Sequence, residues 1–400
     1  MHRPGGRETD DTRVLVVGGG VVGCAIASAL SPAVAVTLVE RDRIGAGTTA
    51  RAAGEVTMTS SYPDYPAIAD HANSFFREQS GPSTFDFTER ESVEFVPPDR
   101  LGESRRRVDR LTAEGVPISF LGGVDASIEY PQLDLGEVAG LIRHEEAGFL
   151  DPERVTGSLA RRASERGATI ETGTTVTGLR ASDSQIRGVE TERGTLDADV
   201  VIVAAGWRTP RLLGEGVSRF LTPYRTQAVL LSLSNRSDTS RPLPMGWIPE
   251  DGLYFRPMGD RQVLVGGWAA AVEDPGKASR TADASFRQHV ASTIPKRLED
   301  TSGARLVDGW AGVDLATPDT RPIIDRAPSA PTGVLVASGF HGRGVMTAPV
   351  AGTAIRSIVL GESAPFPLEP FALDRFADQS PEFPFVSESP GNRPEDESEL

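Results

Sequence analysis

Residues 13–23 have the sequence RVLVVGGGVVG, an apolar run that leads directly into a cluster of glycines. The apolar run predicts a buried parallel strand. Gly18, Gly20 and Gly23 have the spacing G-x-G-x-x-G, which is typical of a turn from a strand into a helix. Gly18 permits the tight turn, Gly20 lets the backbone approach a pyrophosphate group, and Gly23 lets the helix pack against the sheet. The free N–H groups at the start of that helix would face the phosphates.

A second apolar run and an acidic residue complete the pattern. Residues 34–39 are predicted as the next strand, and Glu40 follows them directly. A carboxylate there can accept hydrogen bonds from both ribose hydroxyls and would repel a 2′-phosphate. Strand, glycines, helix, strand and acid in this order predict a dinucleotide-binding βαβ unit. The alternative is an ordinary βαβ turn that binds no ligand.

The composition is that of a soluble globular protein. The chain has 400 residues, of which 38% are hydrophobic and 24% charged, enough for two domains with sizeable cores. Its formal net charge of −15 argues against a nucleic-acid partner, because phosphate would be repelled. No apolar run approaches the roughly 20 residues that span a bilayer, and the N-terminal segment lacks the apolar core of a secretory signal. We therefore expect a cytoplasmic protein without an integral membrane segment.

Cysteine and histidine usage indicates neither a disulfide nor a metal centre. Cys24 is the chain's one cysteine, so no internal disulfide can form. The five histidines show no spacing typical of metal ligands. We expect Cys24 to pack in the core of the first helix, and we expect no metal site.

A second glycine-rich segment, residues 45–54 with the sequence GAGTTARAAG, follows soon after Glu40. Thr48 and Thr49 can donate hydrogen bonds to a phosphate, and Arg51 can neutralise one. A plain NAD site does not need this second segment, whereas a ligand that continues through a ribityl chain to a flavin does. The alternative interpretation is a flexible loop.

The remaining pattern predicts an α/β fold with a Rossmann-like cofactor domain and a mostly antiparallel substrate-domain sheet. Predicted helices cover residues 67–79, 99–115, 152–166, 282–294 and 343–360, and the third has Asp151 as its N-cap. Predicted strands cover residues 92–96, 168–172, 175–179, 186–191, 199–204, 227–233, 253–257, 263–268, 305–312 and 332–339. We expect residues 116–147, which are rich in Gly, Pro and Asp, to be irregular.

These elements suggest a discontinuous domain organisation. The cofactor domain is predicted to comprise residues 12–90, 148–224 and 305–376, and the substrate domain residues 91–147 and 225–304. Residues 1–11 and the acidic tail 377–400 are expected to be disordered, since they offer little apolar surface to bury.

Seven short motifs occur in order between about residues 12 and 376. They are VGGGVVG (17–23), GAGTTARAAG (45–54), GFLDP (148–152), VVIVAAGW (200–207), WAGV (310–313), TPD (317–319) and GFHGRG (339–344). Together they resemble the D-amino-acid oxidase family of FAD-dependent oxidoreductases, which includes glycine oxidase, sarcosine oxidase and the flavin subunits of proline dehydrogenases.

The resemblance implies a two-domain FAD-binding flavoprotein fold. It also implies a reaction in which a carbon beside an amine gives a hydride to flavin N5, after which the imine hydrolyses. The glycines of residues 339–344 would pass close to the isoalloxazine ring, and the helix that follows would point its positive end at the N1/O2 edge. Some relatives attach flavin covalently through a His near the position of Arg51, and arginine cannot form that bond, so FAD is expected to be noncovalent.

The family's cofactor positions can be transferred residue by residue. Val176 matches the strand position that holds the adenine, and residues 205–207 match a turn over the FAD phosphates. The predicted cofactor-binding residues are Gly18, Gly20, Val22, Gly23, Glu40, Arg41, Gly47, Thr48, Thr49, Arg51, Gly54, Val176, Ala205, Gly206, Trp207, Gly339, Gly342, Arg343, Gly344, Val345 and Met346.

The chain departs from the family where the substrate would bind. Family amino-acid oxidases hold the substrate carboxylate with an arginine just before the Thr-Pro-Asp motif, where this chain has Asp314. Either another arginine replaces it, with Arg225, Arg256 and Arg343 as candidates, or the substrate is a different kind of amine. Strand alternation would place Tyr254 on the same face as Arg256, although a surface arginine is an equally good interpretation. The residues predicted at the reaction centre are Tyr254, Arg256, His341 and Arg343.

We therefore expect an FAD-dependent oxidoreductase that oxidises the C–N bond of a small amino or imino acid or an N-substituted amine. The electron acceptor would be O2 or an electron carrier. Activity should rise with pH, because the deprotonated amine is the reactive form. One alternative is a 2-hydroxy acid or polyol-phosphate dehydrogenase on the same fold. The other is a non-catalytic flavoprotein subunit of an electron-transfer complex.

Overall fold

A computed structural model describes residues 12–377 except 234–240, 260, 300 and 302, together with residues 383 and 385. The strands are β1 (Arg13–Val17), β2 (Ala35–Val39), β3 (Glu55–Val56), β4 (Phe87–Glu89), β5 (Ser92–Val96), β6 (Ile118–Gly122), β7 (Gly140–His144), β8 (Gly148–Leu150), β9 (Thr169–Glu171), β10 (Val176–Ser182), β11 (Gln185–Thr191), β12 (Gly194–Asp197), β13 (Val200–Val203), β14 (Thr222–Ser232), β15 (Met245–Ile248), β16 (Leu253–Met258), β17 (Gln262–Ala271), β18 (Arg305–Ala316), β19 (Ile323–Arg326) and β20 (Val334–Ser338). The α-helices are α1 (Val21–Leu30), α2 (Met58–Ser61), α3 (Pro66–Gln79), α4 (Leu101–Ala113), α5 (Gly123–Glu129), α6 (Pro152–Glu165), α7 (Glu215–Ser218), α8 (Ala284–Thr293) and α9 (Gly344–Leu360). Short 3₁₀ helices cover Thr48–Arg51, Pro98–Arg100, Gly206–Arg211, Pro249–Asp251, Ile294–Lys296, Glu369–Phe371 and Leu373–Phe376.

The first of the two large sheets has six strands in the order β19-β20-β13-β1-β2-β9. Its strands are parallel except for β19, which is antiparallel at one edge. β1 is buried on both faces: Val14 and Val16 belong to one apolar core, and Leu15 and Val17 to another. This explains its continuous apolar sequence, because a parallel strand is covered by other elements on both sides. The predicted α/β class and the predicted first strand are confirmed.

Helices α1, α6 and α9 pack together on one side of this sheet. α6 begins as the sequence predicts, because the Asp151 carboxylate accepts hydrogen bonds from the backbone N–H groups of Glu153 and Arg154. α9 approaches α1 closely at Gly352, where a Cβ atom would lie 2.9 Å from the carbonyl oxygen of Ala25. Within the described ranges, no helix is both long and apolar enough to cross a membrane.

The second large sheet is mostly antiparallel and has eight strands in the order β18-β14-β17-β16-β15-β5-β7-β6. Successive side chains along each strand point to opposite faces of the sheet. On β5, Val93 and Phe95 pack in an apolar core, whereas Ser92 and Glu94 line the large cavity described below. β18 pairs with β14, so residues 305–316 belong to this sheet rather than to the parallel one. The predicted domain boundaries themselves stay a prediction.

The expectation that residues 116–147 are irregular is wrong. They contain β6, α5 and β7, and β6 pairs with β7 and β7 with β5 at the edge of the large sheet. The glycines of this region, such as Gly122 and Gly140, stand at strand ends. The intervening apolar residues Ile118, Leu141 and Ile142 are buried. The short strands β12, β15 and β19 were also not predicted, because four residues carry little periodic signal.

The two terminal segments that we expect to be disordered lie almost entirely outside the described residues. Of the acidic tail, Ala377, Phe383 and Phe385 are described. The ring of Phe385 lies 5.0 Å from that of Tyr224 and 5.9 Å from that of His341, centroid to centroid. At least this tail residue therefore contacts the loop that precedes α9.

Candidate cofactor and substrate site

A cavity of about 850 Å³ lies where the carboxyl ends of the parallel strands meet one face of the large sheet. Carboxyl ends of parallel strands are the usual place for ligands in open α/β sheets. The residues just after β1, β2, β13 and β20 all line it, at Gly18, Glu40, Ala204 and Gly339. The three glycine-rich segments, which are far apart in the chain, thus meet at one cavity.

The first glycine turn is packed as the motif predicts. Gly18 has φ +113°, and a Cβ atom there would lie 2.4 Å from the carbonyl oxygen of Ala204. Gly23 lies beneath the turn, where a Cβ atom would come within 1.9 Å of the Gly18 carbonyl oxygen. Gly20 is the N-cap of α1 and has no side chain with which to cap it. Gly20, Val21 and Val22 bring the start of α1 to the cavity wall, and a helix terminus of this kind suits an anionic ligand.

Glu40 lies at the end of β2, in the cavity wall. Its carboxylate accepts hydrogen bonds from the N–H groups of Gly19, at 2.7 Å, and Asp42, at 2.8 Å. These bonds hold the carboxylate beside the glycine turn, where the motif predicts the ribose to bind.

The second glycine-rich segment forms the 3₁₀ helix Thr48–Arg51 and is tied to β18. The Thr48 hydroxyl donates to the carbonyl oxygen of Val313 at 2.6 Å, and the Trp310 indole N–H donates to the Arg51 carbonyl oxygen at 3.0 Å. The Thr48 hydroxyl proton is thus engaged, which differs from the predicted donation to a phosphate. Thr49 accepts a hydrogen bond from the Val21 N–H at 3.2 Å, and within the described part of the chain its own proton stays available to a ligand.

The wall at Trp207 is strongly basic. The Arg208 guanidinium stacks over the Trp207 ring at 3.7 Å, and Arg211 and Arg280 lie 5.7 and 5.9 Å from it. Burial, followed by the nearby charges of Arg41 and Arg211, lowers the pKa of Arg208 to about 10. A cluster of mutually repelling arginines at the cavity wall favours an anionic ligand.

The third segment leads from β20 into α9. His341 has φ +53°, a left-handed conformation that is uncommon outside glycine. The Gly342 N–H donates to the Asp314 carboxylate at 2.8 Å, and burial raises the pKa of that carboxyl. The cavity-lining Ser338 hydroxyl is buried and has no hydrogen-bond partner among the described residues. Hydroxyl, loop and helix start together form a polar cradle that a bound cofactor would complete.

Nearly all residues predicted to bind the cofactor line this cavity; Gly23 has a packing role instead. The residues that do so are Gly18, Gly20, Val22, Glu40, Arg41, Gly47, Thr48, Thr49, Arg51, Gly54, Val176, Ala205, Gly206, Trp207, Gly339, Gly342, Arg343, Gly344, Val345 and Met346. The cavity volume of about 850 Å³, the helix start, the basic wall and the Ser338 hydroxyl fit an adenine dinucleotide that extends to a flavin.

The substrate candidates separate into two groups. Tyr254, His341 and Arg343 line the cavity. Arg256 does not: its guanidinium donates to the carbonyl oxygens of Ala53 and Pro257 and is buried behind the wall. The structure therefore places Arg256 outside the cavity lining, and its role at the reaction centre stays a prediction, because alternation identifies a strand face but not what covers it.

Arg225 is also engaged elsewhere, in an ion pair with Asp283 at 2.8 Å. Sequence reasoning missed several other cavity-lining side chains: Glu55, Glu94, His144, Tyr224 and Trp247. Four of them stand on strands of the large sheet, so they could have been found from alternation once the sheet order was known. The described part of the chain contains no group of three or more His, Cys, Asp or Glu side chains that could hold a metal ion.

Cys24 is expected to be chemically inert in the folded protein. It is fully buried in α1, and burial raises the pKa of its thiol to about 12, so little thiolate exists near neutral pH. Iodoacetamide at pH 8 should leave the native chain unmodified and alkylate it once it is unfolded in denaturant, as measured by mass spectrometry. Rapid alkylation of the native protein would contradict this buried placement.

A family model described as FAD dependent oxidoreductase matches residues 13–357. The glycine oxidase of Geobacillus kaustophilus is 25% identical over 382 residues, covering 90% of this chain and 96% of that protein. Human mitochondrial sarcosine dehydrogenase is 26% identical over 356 residues, covering 83% of this chain but 38% of that protein.

Solved structures show the same architecture. The glycine oxidase from Geobacillus kaustophilus superposes with a TM-score of 0.78 at 24% identity, covering 91% of this chain and 99% of that one. The L-proline dehydrogenase from P. horikoshii gives a TM-score of 0.81 at 23% identity, covering 92% and 98%. The expected two-domain flavoprotein fold is thereby confirmed. The chain belongs to the FAD-dependent oxidoreductase family and is an oxidoreductase whose cofactor is FAD, and the noncovalent attachment stays a prediction.

Proposed function

We propose that this chain oxidises the C–N bond of a small amino or imino acid or an N-substituted amine. The observation that carries the proposal is the continuity of the cavity, which runs from the dinucleotide cradle past the start of α9 to Tyr224, Trp247 and Tyr254 on the large sheet. Relatives named for glycine, sarcosine and D-amino acids support an amine as substrate.

The residues around the start of α9 would stabilise negative charge that develops during the reaction. FAD, when bound, supplies an acceptor for the hydride that leaves the carbon beside nitrogen. The N-terminus of α9, capped by the backbone of Arg343, would stabilise the negative charge that accompanies this transfer. The rings of Tyr224, Trp247 and Tyr254 would exclude water from the space facing it.

Arg343 is the arginine best placed to hold a substrate carboxylate. It lines the cavity, and one guanidinium nitrogen donates to the Thr320 carbonyl oxygen at 3.3 Å, which orients the group. Arg343→Gln should weaken binding of a carboxylate-bearing amine about 10- to 100-fold, because a hydrogen bond to a charged group contributes about 1.5–3 kcal/mol. Anaerobic titration of the flavin absorbance gives the Kd. The carboxamide of the same amine is the control, since its affinity should change little; an equal loss for both ligands would exclude Arg343 as the anchor.

The proposed reaction is tested by anaerobic addition of amino acids, imino acids and N-methyl amines to the yellow protein. We expect at least one of them to bleach the flavin band, with a rate that rises with pH. Bleaching only by 2-hydroxy acids or glycerol phosphate would instead support the alternative dehydrogenase. Reoxidation with O2 or with an artificial carrier then identifies the kind of acceptor, which stays a prediction, as does the cytoplasmic location.

A further inference from the structure

Glu55 is a carboxyl group in the cavity wall to which the proposed function so far gives no role. It is the first residue of β3, directly after the second glycine-rich segment, and it pairs with Phe149 of β8. Its Oε1 atom is shielded from solvent and has no hydrogen-bond partner among the residues that the structure describes. A shielded acceptor without a donor is costly, so the site favours a ligand that brings one.

The titratable groups near Glu55 do not hydrogen-bond to its Oε1 atom in the part of the chain that the structure describes. Tyr254 and Arg256, both on β16, are the titratable groups that interact with it, and Asp151 acts on Arg256 in turn. The Arg256 guanidinium donates hydrogen bonds to the main-chain carbonyl oxygens of Ala53 and Pro257. Burial raises the pKa of Glu55 to about 8, and the Arg256 charge only partly opposes this. Burial, and then the Glu55 charge, also raises the pKa of Tyr254.

β3 lies against the first turn of α9. Two residues after Glu55, the Thr57 N–H donates to the Met346 sulfur at 3.4 Å. Glu55 and the start of α9 line the same cavity, so a molecule that reacts beside that helix end occupies a cavity that Glu55 also lines.

We propose that Glu55 binds the ammonium group of the substrate and accepts its proton before the C–H bond is oxidised. The N–H bond breaks and leaves its electron pair on nitrogen, while an O–H bond forms on the Glu55 carboxylate. The free lone pair can then assist departure of the hydride from the neighbouring carbon. A carboxyl whose pKa lies closer to that of an amine accepts the proton at a smaller cost than an ordinary carboxyl would.

The role of Glu55 rests on the proposed amine oxidation, and Glu55→Gln tests it, because the amide keeps the size but cannot accept the proton. With the amine that reduces the wild-type flavin, the reduction rate of the variant should fall about 100-fold near pH 8, where about half of the Glu55 carboxyl is ionised. The deficit should shrink at high pH, where free amine is already present. Glu89→Gln is the matched control: Glu89 is an exposed carboxylate on β4 of the same small sheet, and it should leave the pH profile unchanged.

A measurement without substrate completes the test. The spectrum of the oxidised flavin should titrate with a pKa near 8 in the wild type and in the control, and this transition should be absent from Glu55→Gln. A pH profile of the variant that superimposes on that of the wild type would overturn the role of Glu55 alone. Failure of every amine to reduce the wild-type flavin would overturn the proposed function and the proton transfer with it.

Discussion

Gly23→Ala should abolish FAD binding and lower the free energy of unfolding by about 3 kcal/mol. The added methyl would lie 1.9 Å from the carbonyl oxygen of Gly18, which is backbone and cannot rotate away. α1 would have to move off β1, and this displaces the glycine turn and the helix terminus that face the phosphates. Denaturant unfolding gives the loss of stability, and absorbance of the purified protein gives the FAD content.

Gly157→Ala is the control for that substitution. Gly157 is an exposed residue inside α6, and a Cβ atom there meets nothing within 4 Å. Alanine should therefore stabilise the helix by up to about 1 kcal/mol and leave FAD binding intact. If Gly23→Ala retained FAD and stability as well as Gly157→Ala does, the close packing of the first turn would be refuted.

Asp319→Ala should cost about 3 kcal/mol of stability. Asp319 accepts hydrogen bonds from Arg375, at 2.9 Å, and from Arg321, at 3.2 Å, and its side chain is 18% exposed. Removing it leaves the mostly buried Arg375 without its carboxylate, and breaking a buried pair is worth about 3–5 kcal/mol. The lower end applies here, because Arg321 is 31% exposed and partly screened by solvent.

The ion pairs of Asp319 with Arg375 and Arg321 also predict that the free energy of unfolding falls at acid pH. Burial alone would raise the pKa of Asp319, but Arg375 and Arg321 together hold it below its usual value. A depressed pKa contributes stability above the unfolded pKa of about 3.9, and that contribution is lost as pH falls through the native pKa. Asp319→Asn should flatten the loss of stability below about pH 4, whereas Asp374→Asn, at an exposed position next to Arg375 in the chain, should not. Equal acid limbs in both variants would contradict the assignment.

Asp319 also helps to fix the turn that orients Arg343 in the cavity wall. It lies in the turn after β18, where Thr320 has φ +64° and its carbonyl oxygen accepts a hydrogen bond from Arg343. Releasing this turn would free Arg343 from the orientation in which it faces the cavity. We therefore expect Asp319→Ala to weaken carboxylate binding as well as folding.

Local sequence rules identified the glycine turn and the acidic residue that line one end of the cavity, whereas their contacts with the cofactor stay a prediction. A continuous apolar strand, glycines at fixed offsets and an acid after the second strand depend on one short segment, so the pattern is complete within residues 13–40. The N-cap Asp151 was predictable for the same reason. The predicted role of residues 339–344 depended on the family resemblance, because the residues that they contact lie elsewhere in the chain.

The substrate half depends on tertiary contacts that no local pattern contains. Alternation placed Tyr254 and Arg256 on one face, but the segment Ala53–Glu55 covers Arg256 and leaves Tyr254 in the cavity. No sequence pattern distinguishes Glu55, which follows the glycine-rich segment 45–54, and its raised pKa arises from burial in the assembled wall. The contact of Phe385 with His341 likewise joins two segments that composition treats as unrelated.

The most direct test of the central claim, that three separated glycine-rich segments form one FAD cradle, is the flavin content of the purified chain. Heat denaturation should release FAD into the supernatant in about equimolar amount, and the stripped protein should rebind added FAD. A colourless supernatant, together with failure of added FAD to bind, would contradict the cradle and every role assigned to the residues around it.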